Sequence, residues 1–198
     1  MTYYLCVLDF EATCWESSTR RNDMEIIEFP SVLYKVDEVT KTCEFVSEFA
    51  KYVKPVKNKI SKFCTELTGI SDETVKDADK IHTVYKQHME WLEEHCKDEL
   101  MVIATCGKWD LNTMLPNEIR NKRLPVHKYY STYINVKDEF NYFYKQKAKG
   151  MVGMLQYLKL KLDGRHHSGI DDTRNIAKIM IKMIKDGHKS DSFMFYRV

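Results

Sequence analysis

The chain opens with the run Tyr4-Leu-Cys-Val-Leu-Asp9-Phe-Glu11-Ala-Thr13, in which an apolar stretch ends at two acids. The apolar and β-branched residues at positions 5–8 are typical of a buried strand. Side chains along a strand alternate between its two faces. Asp9 and Glu11 are therefore expected to point the same way, with their Cα atoms about 6 to 7 Å apart. The rest of the predicted fold is arranged around this strand and its two carboxylates.

Two acids at one buried strand end need a compensating charge. Burial disfavours their ionised forms and the like charges repel each other, so protonation, a cationic partner or a metal ion must stabilise the pair. Hard divalent cations such as Mg²⁺ take oxygen ligands of this kind. The alternative is structural: Asp9 begins a turn and Glu11 is solvated. This stretch by itself favours neither interpretation.

Composition places the chain among ordinary globular proteins, most simply as one domain. Its 198 residues can bury a substantial core, and 43% hydrophobic with 30% charged residues is usual for that class. No apolar run reaches the roughly 20 residues of a membrane span, and the first residues lack the order of a signal peptide. We therefore expect no membrane partner, and an intracellular protein of the cytoplasm or nucleus that is not secreted.

Cysteine spacing and charge exclude some classes of site. The six cysteines show neither a Cys-x-x-Cys pair nor a paired histidine spacing, which argues against zinc and favours reduced thiols. The net charge is only +2, so contacts with nucleic acid would depend on local basic clusters. Residues 137–149, rich in Tyr, Phe and Lys, are one such cluster on which bases can stack. A helix that packs its aromatic side chains inward explains the same pattern at least as well.

The remaining pattern predicts alternating strands and helices. Further strands are expected at residues 26–36, 43–53, 100–106 and 129–134, with residues 192–198 as an edge strand or a tail. Helices are expected at residues 60–67, after Ser71, and at residues 81–96, 111–115, 151–160 and 171–185. Pro116 should kink or restart the helix that begins at residue 111.

Further acids follow other apolar elements. Asp110 stands just past residues 100–106, again at the end of a predicted strand. Asp172 lies on the same face of the last predicted helix as the apolar positions 176, 179 and 183, so its carboxylate is expected to point inward. A helix N-cap is the competing role for Asp171 or Asp172, but it accounts for only one of two adjacent acids.

Four such carboxylates could hold two divalent ions. In two-metal phosphoryl chemistry the ions lie roughly 3.5 to 4 Å apart; one activates water for in-line attack and the other stabilises the leaving oxygen. A histidine with an ordinary pKa of about 6.5 can take the proton from that water near neutral pH. His167 stands before Asp172 in a predicted loop, with His166 as an immediate competitor.

The acids and the histidine also stand in motifs. Asp9-Phe-Glu11, Gly107-Lys-Trp-Asp110 and His167-Ser-Gly-Ile-Asp-Asp172 resemble the three motifs of DEDDh-type 3′-to-5′ exonucleases, the DnaQ-like superfamily with an RNase H-like core. The resemblance covers nearly the whole chain, and its His-x₄-Asp spacing selects His167 over His166 and Asp172 over Asp171. Four longer runs are similar to the Eri-like subgroup, which includes the 3′ exonuclease of histone mRNA: Phe10-Glu-Ala-Thr-Cys14, Glu25-Ile-Ile-Glu-Phe-Pro30, Leu67-Thr-Gly-Ile70 and His167-Ser-Gly-Ile-Asp-Asp-Thr-Arg-Asn-Ile-Ala177.

This resemblance implies a fold and a role for each matching residue. The fold would be α/β and RNase H-like, with a mixed central sheet of about five strands flanked by helices, as a single exonuclease domain over residues 1–198. The implied cofactors are two divalent cations, Mg²⁺ or Mn²⁺. Asp9, Glu11 and Asp172 would hold the ion that activates water, Asp9 and Asp110 would engage the second, and His167 would be the general base.

The resemblance also implies where the substrate lies. Glu11 and the backbone of Ala12 and Thr13 would meet the terminal nucleotide and its 3′-hydroxyl, with His167 facing the same nucleotide. Trp109 and the turn formed by Thr68, Gly69 and Ile70 would be walls for the terminal base.

The function predicted from the sequence is that of a 3′-to-5′ exoribonuclease, which removes one nucleotide at a time and releases 5′-monophosphates. Its partner would be nucleic acid with a free 3′-hydroxyl end, RNA favoured over DNA; the oligomeric state is left open. Two alternatives remain. One is a DNA exonuclease or an exonuclease with no sugar preference, and the other is a catalytically silent nucleic-acid-binding module on the same fold.

Overall fold

The computed structural model describes residues 1–17 and 23–198 and arranges them as a sheet with helices on both faces. The seven strands of these residues form one mixed sheet: β1 Thr2–Leu8, β2 Glu11–Ala12, β3 Ile26–Asp37, β4 Thr42–Tyr52, β5 Met101–Thr105, β6 Thr132–Asn135 and β7 Phe195–Arg197. The predicted α/β class is therefore confirmed. The strands outnumber the expected five because the short β2 and β7 add to five longer strands.

The strand β1 lies in the middle of the sheet and is buried on both faces. It pairs antiparallel with β3 and parallel with β5; β6 is parallel to β5, while β4 and β7 are antiparallel outer strands. Tyr3, Leu5 and Val7 enter the core on one face, whereas Cys6 and Leu8 enter the core on the other. Burial on both faces explains the continuous apolar run in this part of the sequence.

This central strand is interrupted at the acids. β1 pairs with β3 as far as Leu8, and β2 resumes pairing with β3 in the same register at Glu11. That register sets Asp9 opposite Pro30, which has no N–H to give to a ladder. Asp9 and Phe10 therefore leave the ladder, and Pro30 is tolerated in an interior strand because it lies at this gap.

Seven α-helices lie within the described residues: α1 Lys62–Thr68, α2 Asp72–Val75, α3 Ile81–Cys96, α4 Leu115–Lys122, α5 Val136–Tyr144, α6 Gly150–Tyr157 and α7 Gly169–Asp186. A π-helical turn, Asp110–Met114, leads into α4. Side chains of α3 and α4 join the core on one face of the sheet, and those of α5, α6 and α7 join the core on the other. α1 and α2 enclose a smaller apolar cluster beside β3.

Differences between the predicted and the observed elements have local causes. Pro116 does restart the helix, since it lies in the first turn of α4, where a missing N–H costs little. α7 begins at Gly169, earlier than predicted, because Ser168 rather than an aspartate is its N-cap. The strand predicted at residues 129–134 begins only at Thr132, because Lys128–Tyr130 form a 3-10 turn.

The basic and aromatic segment at residues 137–149 is partly a packed helix. Phe140 of α5 is buried in the core, whereas Tyr142 is about half exposed. All six cysteines are free thiols. None of the helices in residues 1–17 and 23–198 combines the length and the apolar character needed to cross a membrane.

Candidate active site

Three carboxylates meet where the central strand is interrupted. One oxygen from each of Asp9, Glu11 and Asp172 lies within 4.8 Å of the others. Asp9 follows the end of β1, Glu11 begins β2, and Asp172 lies in the first turn of α7. Asp9 and Glu11 thus face the same side, as strand alternation predicted, and the helical stripe brings Asp172 to them.

The fourth predicted acid, Asp110, lies beside this group and holds the interrupted strand. Its Oδ1 accepts a hydrogen bond of 2.9 Å from the backbone N–H of Phe10, one of the residues that left the β1–β3 ladder. Asp110 is 4% exposed and begins the π-helical turn that follows β5. The carboxylate therefore replaces a missing sheet partner and fixes the backbone between Asp9 and Glu11.

The buried acid Glu28 sets the position of α7. Its Oε2 accepts a 3.0 Å hydrogen bond from the N–H of Gly169, and its Oε1 accepts a 3.2 Å bond from the N–H of Ile170. A negative group here satisfies the first amides of the helix and complements its dipole. A Cβ at residue 169 would lie 2.9 Å from Glu28 Oε2, so glycine is needed for the close approach.

The adjacent acids Asp171 and Asp172 have separate tasks. Asp171 accepts a 3.0 Å hydrogen bond from the N–H of Arg165 and forms a 3.3 Å ion pair with Arg174. Asp172 Oδ2 accepts a 2.8 Å bond from the N–H of His167. Its Oδ1 is buried and accepts no hydrogen bond from the described residues. Neither acid is the N-cap, so Asp172 offers an unused oxygen to the cluster.

Both histidines of the loop lie next to Asp172. The ring centroids of His166 and His167 are 3.9 Å apart, and His166 Nε2 lies 4.0 Å from Asp172 Oδ2. His167 has a backbone φ of 66°, in the left-handed region that few residues other than glycine adopt. Burial, with the neighbouring charges of His166 and Arg165, lowers the pKa of His167. The motif spacing favours His167, and its role as the base stays a prediction.

The carboxylate cluster brings acidic groups so close together that their ionised forms are disfavoured. Burial and the neighbouring acids raise the pKa of Asp9 well above its ordinary value and that of Glu11 to about 9. Burial likewise raises the pKa of Asp172, and it raises that of Asp110 to about 6 although the Phe10 N–H opposes the shift. The ammonium of Lys137 partly compensates, since it lowers the pKa of Asp9 and Asp110.

The turn predicted to hold the terminal base is built by its own hydrogen bonds. Thr68 Oγ1 donates to the carbonyl of Cys64 at 2.8 Å and accepts from the N–H of Ile70 at 3.1 Å. Gly69 ends α1 in the left-handed conformation with φ of 80°. Ile70 is 2% exposed, so its side chain supports the turn from inside. The contact of this turn with a base stays a prediction.

The other residues predicted near the substrate already use some of their groups in contacts within the protein. Thr13 is buried, donates its N–H to the carbonyl of Glu25 at 2.8 Å and accepts the Glu25 N–H on Oγ1 at 2.9 Å. The carbonyl of Ala12 accepts a 3.6 Å hydrogen bond from Cys64 Sγ. Trp109 is partly buried against the core. Any contact with a nucleotide must therefore use the remaining groups of these residues.

Sequence reasoning missed the roles of Glu28 and Lys137 at this site. Glu28 lies in the run Glu25-Ile-Ile-Glu-Phe-Pro30, whose similarity to the subgroup pointed to it without assigning a role. Lys137 lies in the basic and aromatic segment, but in the first turn of α5 its charge acts on the carboxylates. An acid within an otherwise apolar interior strand was the signal that could have found Glu28.

A family model described as Exonuclease matches residues 6–180, and the chain belongs to this family. ERI1 exoribonuclease 2 of Mus musculus is 37% identical over 202 residues, which cover 93% of this chain and 29% of that protein. 3′-5′ exoribonuclease 1 of Mus musculus is 38% identical over 189 residues, which cover 93% and 54%.

A solved structure confirms the fold. The nuclease domain of 3′hExo, a DEDDh family member bound to rAMP, superposes with a TM-score of 0.86 at 36% identity, covering 93% of this chain and 94% of that chain. The resemblance to DEDDh exonucleases and the RNase H-like fold are therefore confirmed. The chain spans well under two thirds of the length of the two curated relatives.

Proposed function

We propose that this chain is a metal-dependent 3′-to-5′ exoribonuclease, whose single domain over residues 1–198 removes nucleotides from a free 3′-hydroxyl end. One observation carries the proposal: the oxygens of Asp9, Glu11 and Asp172 lie within 4.8 Å of one another at the gap in the central strand. A protein needs no such concentration of wholly or partly buried acids for its fold. A phosphodiester-cleaving site that uses hard cations does need it.

The side chains present suit two divalent cations, Mg²⁺ or Mn²⁺. All candidate ligands are carboxylate oxygens, which these hard ions prefer. Asp172 Oδ1 is buried and has no hydrogen-bond donor among the described residues, so a cation would satisfy it. We assign Asp9, Glu11 and Asp172 to one ion and Asp9 and Asp110 to the second. When bound, the ions would activate water and stabilise the charge that develops on the phosphate and the leaving oxygen.

His167 is the proposed general base. Its lowered pKa leaves the imidazole neutral at physiological pH, so a ring nitrogen can accept the proton of the attacking water. The bond from phosphorus to the 3′-oxygen of the preceding nucleotide then breaks. The products are a nucleoside 5′-monophosphate and a nucleic acid shortened by one nucleotide, whose new 3′-oxygen takes a proton from solvent.

The proposed substrate is RNA, whose terminal nucleotide lies between two walls. Glu11, Ala12 and Thr13 form one side, where the 3′-hydroxyl would bind. Trp109 and the turn of Thr68, Gly69 and Ile70 form the side that meets the base. The preference for RNA is supported by the exoribonuclease relatives and by the rAMP bound to the similar nuclease domain. The free thiols agree with an intracellular location in the cytoplasm or nucleus.

Matched oligonucleotides test the proposal. Purified protein with Mg²⁺ or Mn²⁺ should shorten 5′-labelled single-stranded RNA from its 3′ end, and a 3′-phosphate should block the reaction. DNA of the same sequence should be degraded more slowly; faster loss of DNA would overturn the RNA assignment. Asp9→Asn serves as the inactive control that excludes a contaminating nuclease. If every 3′-hydroxyl substrate stays intact with both metals, the chain is a binding module and the proposal is wrong.

A further inference from the structure

The turn that presents His167 is closed by Arg165. The N–H of Ser168 donates to the carbonyl of Arg165 at 3.2 Å, with His167 between them in the left-handed conformation. Two backbone amides attach this turn to α7: that of Arg165 donates to Asp171 Oδ2 at 3.0 Å, and that of His167 donates to Asp172 Oδ2 at 2.8 Å. Arg165 is therefore the first residue of the turn that holds the proposed base.

The side chain of Arg165, in the turn before α7, reaches the end of α1. Its Nη2 donates to the carbonyl of Glu66 at 2.9 Å and to that of Leu67 at 3.0 Å. These carbonyls belong to the last turn of the helix, where no intrahelical amide is available to them. A cation at a helix C-terminus is also favoured by the helix dipole. One side chain thus joins the His167 turn to the end of α1.

Gly69 provides the space for this contact. A Cβ built at residue 69 would lie 2.3 Å from Arg165 Nη1, closer than any real contact allows. Gly69 also has a φ of 80°, which ends α1 and starts the turn predicted to face the terminal base. Gly150 has a similar φ of 72°, but a Cβ there would meet nothing within 4 Å. Both positions therefore need a residue that tolerates positive φ, but only Gly69 of the two also needs the space that a Cβ would fill.

We propose that Arg165 is a positioning residue, which fixes the distance between the His167 turn and the turn of Thr68, Gly69 and Ile70. The proposal rests on the proposed function, in which the first turn supplies the base and the second meets the terminal nucleotide. Without the guanidinium, both turns keep their own hydrogen bonds, but they lose the direct hydrogen bonds that join one turn to the other within the described residues. The nucleotide and the base then meet less often in the reactive geometry, which lowers the rate of the chemical step.

Hydrogen exchange tests the link without any assay of activity. In Arg165→Ala, amides in peptides covering residues 62–70 and 163–168 should exchange at least about threefold faster than in the wild type. Arg120→Ala is the matched control, because within the described part of the chain Arg120 Nη1 bonds to its own helix alone, to Asn117 Oδ1 at 3.1 Å. Unchanged exchange in both peptides of Arg165→Ala, or an equal change in Arg120→Ala, would overturn the proposal.

Kinetics separate positioning from a merely structural role. Arg165→Ala should lower kcat on RNA by about 10- to 100-fold with a smaller change in KM, whereas Arg120→Ala keeps the wild-type rate. Arg165→Lys, which can still reach a carbonyl, should recover part of the loss, and added guanidinium ion should partly rescue Arg165→Ala. Full activity of Arg165→Ala in an active wild-type background would overturn this proposal alone. An inactive wild type would instead refute the proposed function.

Glycine variants test the same contact from its other side. Gly69→Ala should displace the guanidinium and lower kcat, while Gly150→Ala carries a comparable φ strain and should keep the wild-type kcat. Because Gly69→Ala and Arg165→Ala disrupt one contact, the double variant should lose little more than the stronger single variant. Fully multiplicative losses would show that the two residues act independently and would refute the link.

Discussion

The metal-free protein should be destabilised by its own carboxylate cluster, and Glu11→Gln should relieve this. Glu11 lies in a cluster with Asp9 and Asp172, and burial with the neighbouring acids raises its pKa to about 9. Glutamine has the shape of the protonated side chain and cannot ionise. We therefore expect the variant to be more stable than the wild type at alkaline pH in the absence of divalent cations.

The sign and size of this effect follow from proton linkage. Below a pH of about 4.5, Glu11 is protonated in the folded and unfolded states and carries no penalty. Between about 4.5 and 9 only the unfolded state ionises, so the free energy of unfolding falls by about 1.4 kcal/mol per pH unit. At pH 8 the upper limit is about 5 kcal/mol. Glu11 is partly exposed, so screening should reduce the effect to about 1 to 2 kcal/mol.

Thermal melts in EDTA across pH 5 to pH 8 measure the effect. An effect of this size corresponds to a melting temperature about 2 to 8 °C higher for Glu11→Gln at pH 8, with the difference vanishing towards low pH. Added Mg²⁺ or Mn²⁺ should raise the melting temperature of the wild type more than that of the variant. The exposed Glu90, paired with Lys86 at 3.5 Å, provides the control Glu90→Gln. A pH-independent difference, or a less stable Glu11→Gln at pH 8, would refute the reasoning.

Four further substitutions test individual residues. His167→Ala should lower kcat on RNA by about 10²- to 10³-fold while keeping the metal-induced rise in melting temperature, and His166→Ala should cost less than about tenfold; the reverse order would exchange their roles. Asp110→Asn keeps an oxygen for the Phe10 N–H, so its melting temperature in EDTA should be no lower than that of the wild type, but metal-dependent turnover should fall. Glu28→Ala removes the acceptor at the start of α7 and should cost about 1 to 2 kcal/mol in urea unfolding; an unchanged midpoint would contradict the capping role.

Local periodicity predicted the parts of the site that depend on one element. Alternation along a strand placed Asp9 and Glu11 on one side, and helical spacing placed Asp172 among inward-facing apolar positions. A helix was predicted after Ser71, and Ser71 does form a capping box with Thr74 at the start of α2. In each case the relevant neighbours are close in sequence, so the pattern contains the information. The roles of these acids as metal ligands stay predictions.

The contacts that assemble the site were not predictable in this way. Asp110 meets Phe10 across 100 positions of sequence, and Glu28 meets Gly169 across 141. Such pairs depend on how β1, β3 and α7 pack, which no local pattern specifies. The motif similarity supplied the identity of the acids, but it did not reveal which of their oxygens are used to hold the backbone.

These long-range contacts explain how the fold tolerates the interruption in its central strand. Pro30 provides no N–H opposite Asp9, and Asp110 gives the unpaired Phe10 amide a new acceptor. Because β2 resumes the original register, Glu11 returns to the side that Asp9 faces, with a short unpaired stretch between them. The strand can thus carry two acids on one side without continuous pairing to β3. Pro30 and Asp110 thus keep the backbone between Asp9 and Glu11 out of the ladder. The carboxylates of Asp9 and Glu11 can then lie close to that of Asp172.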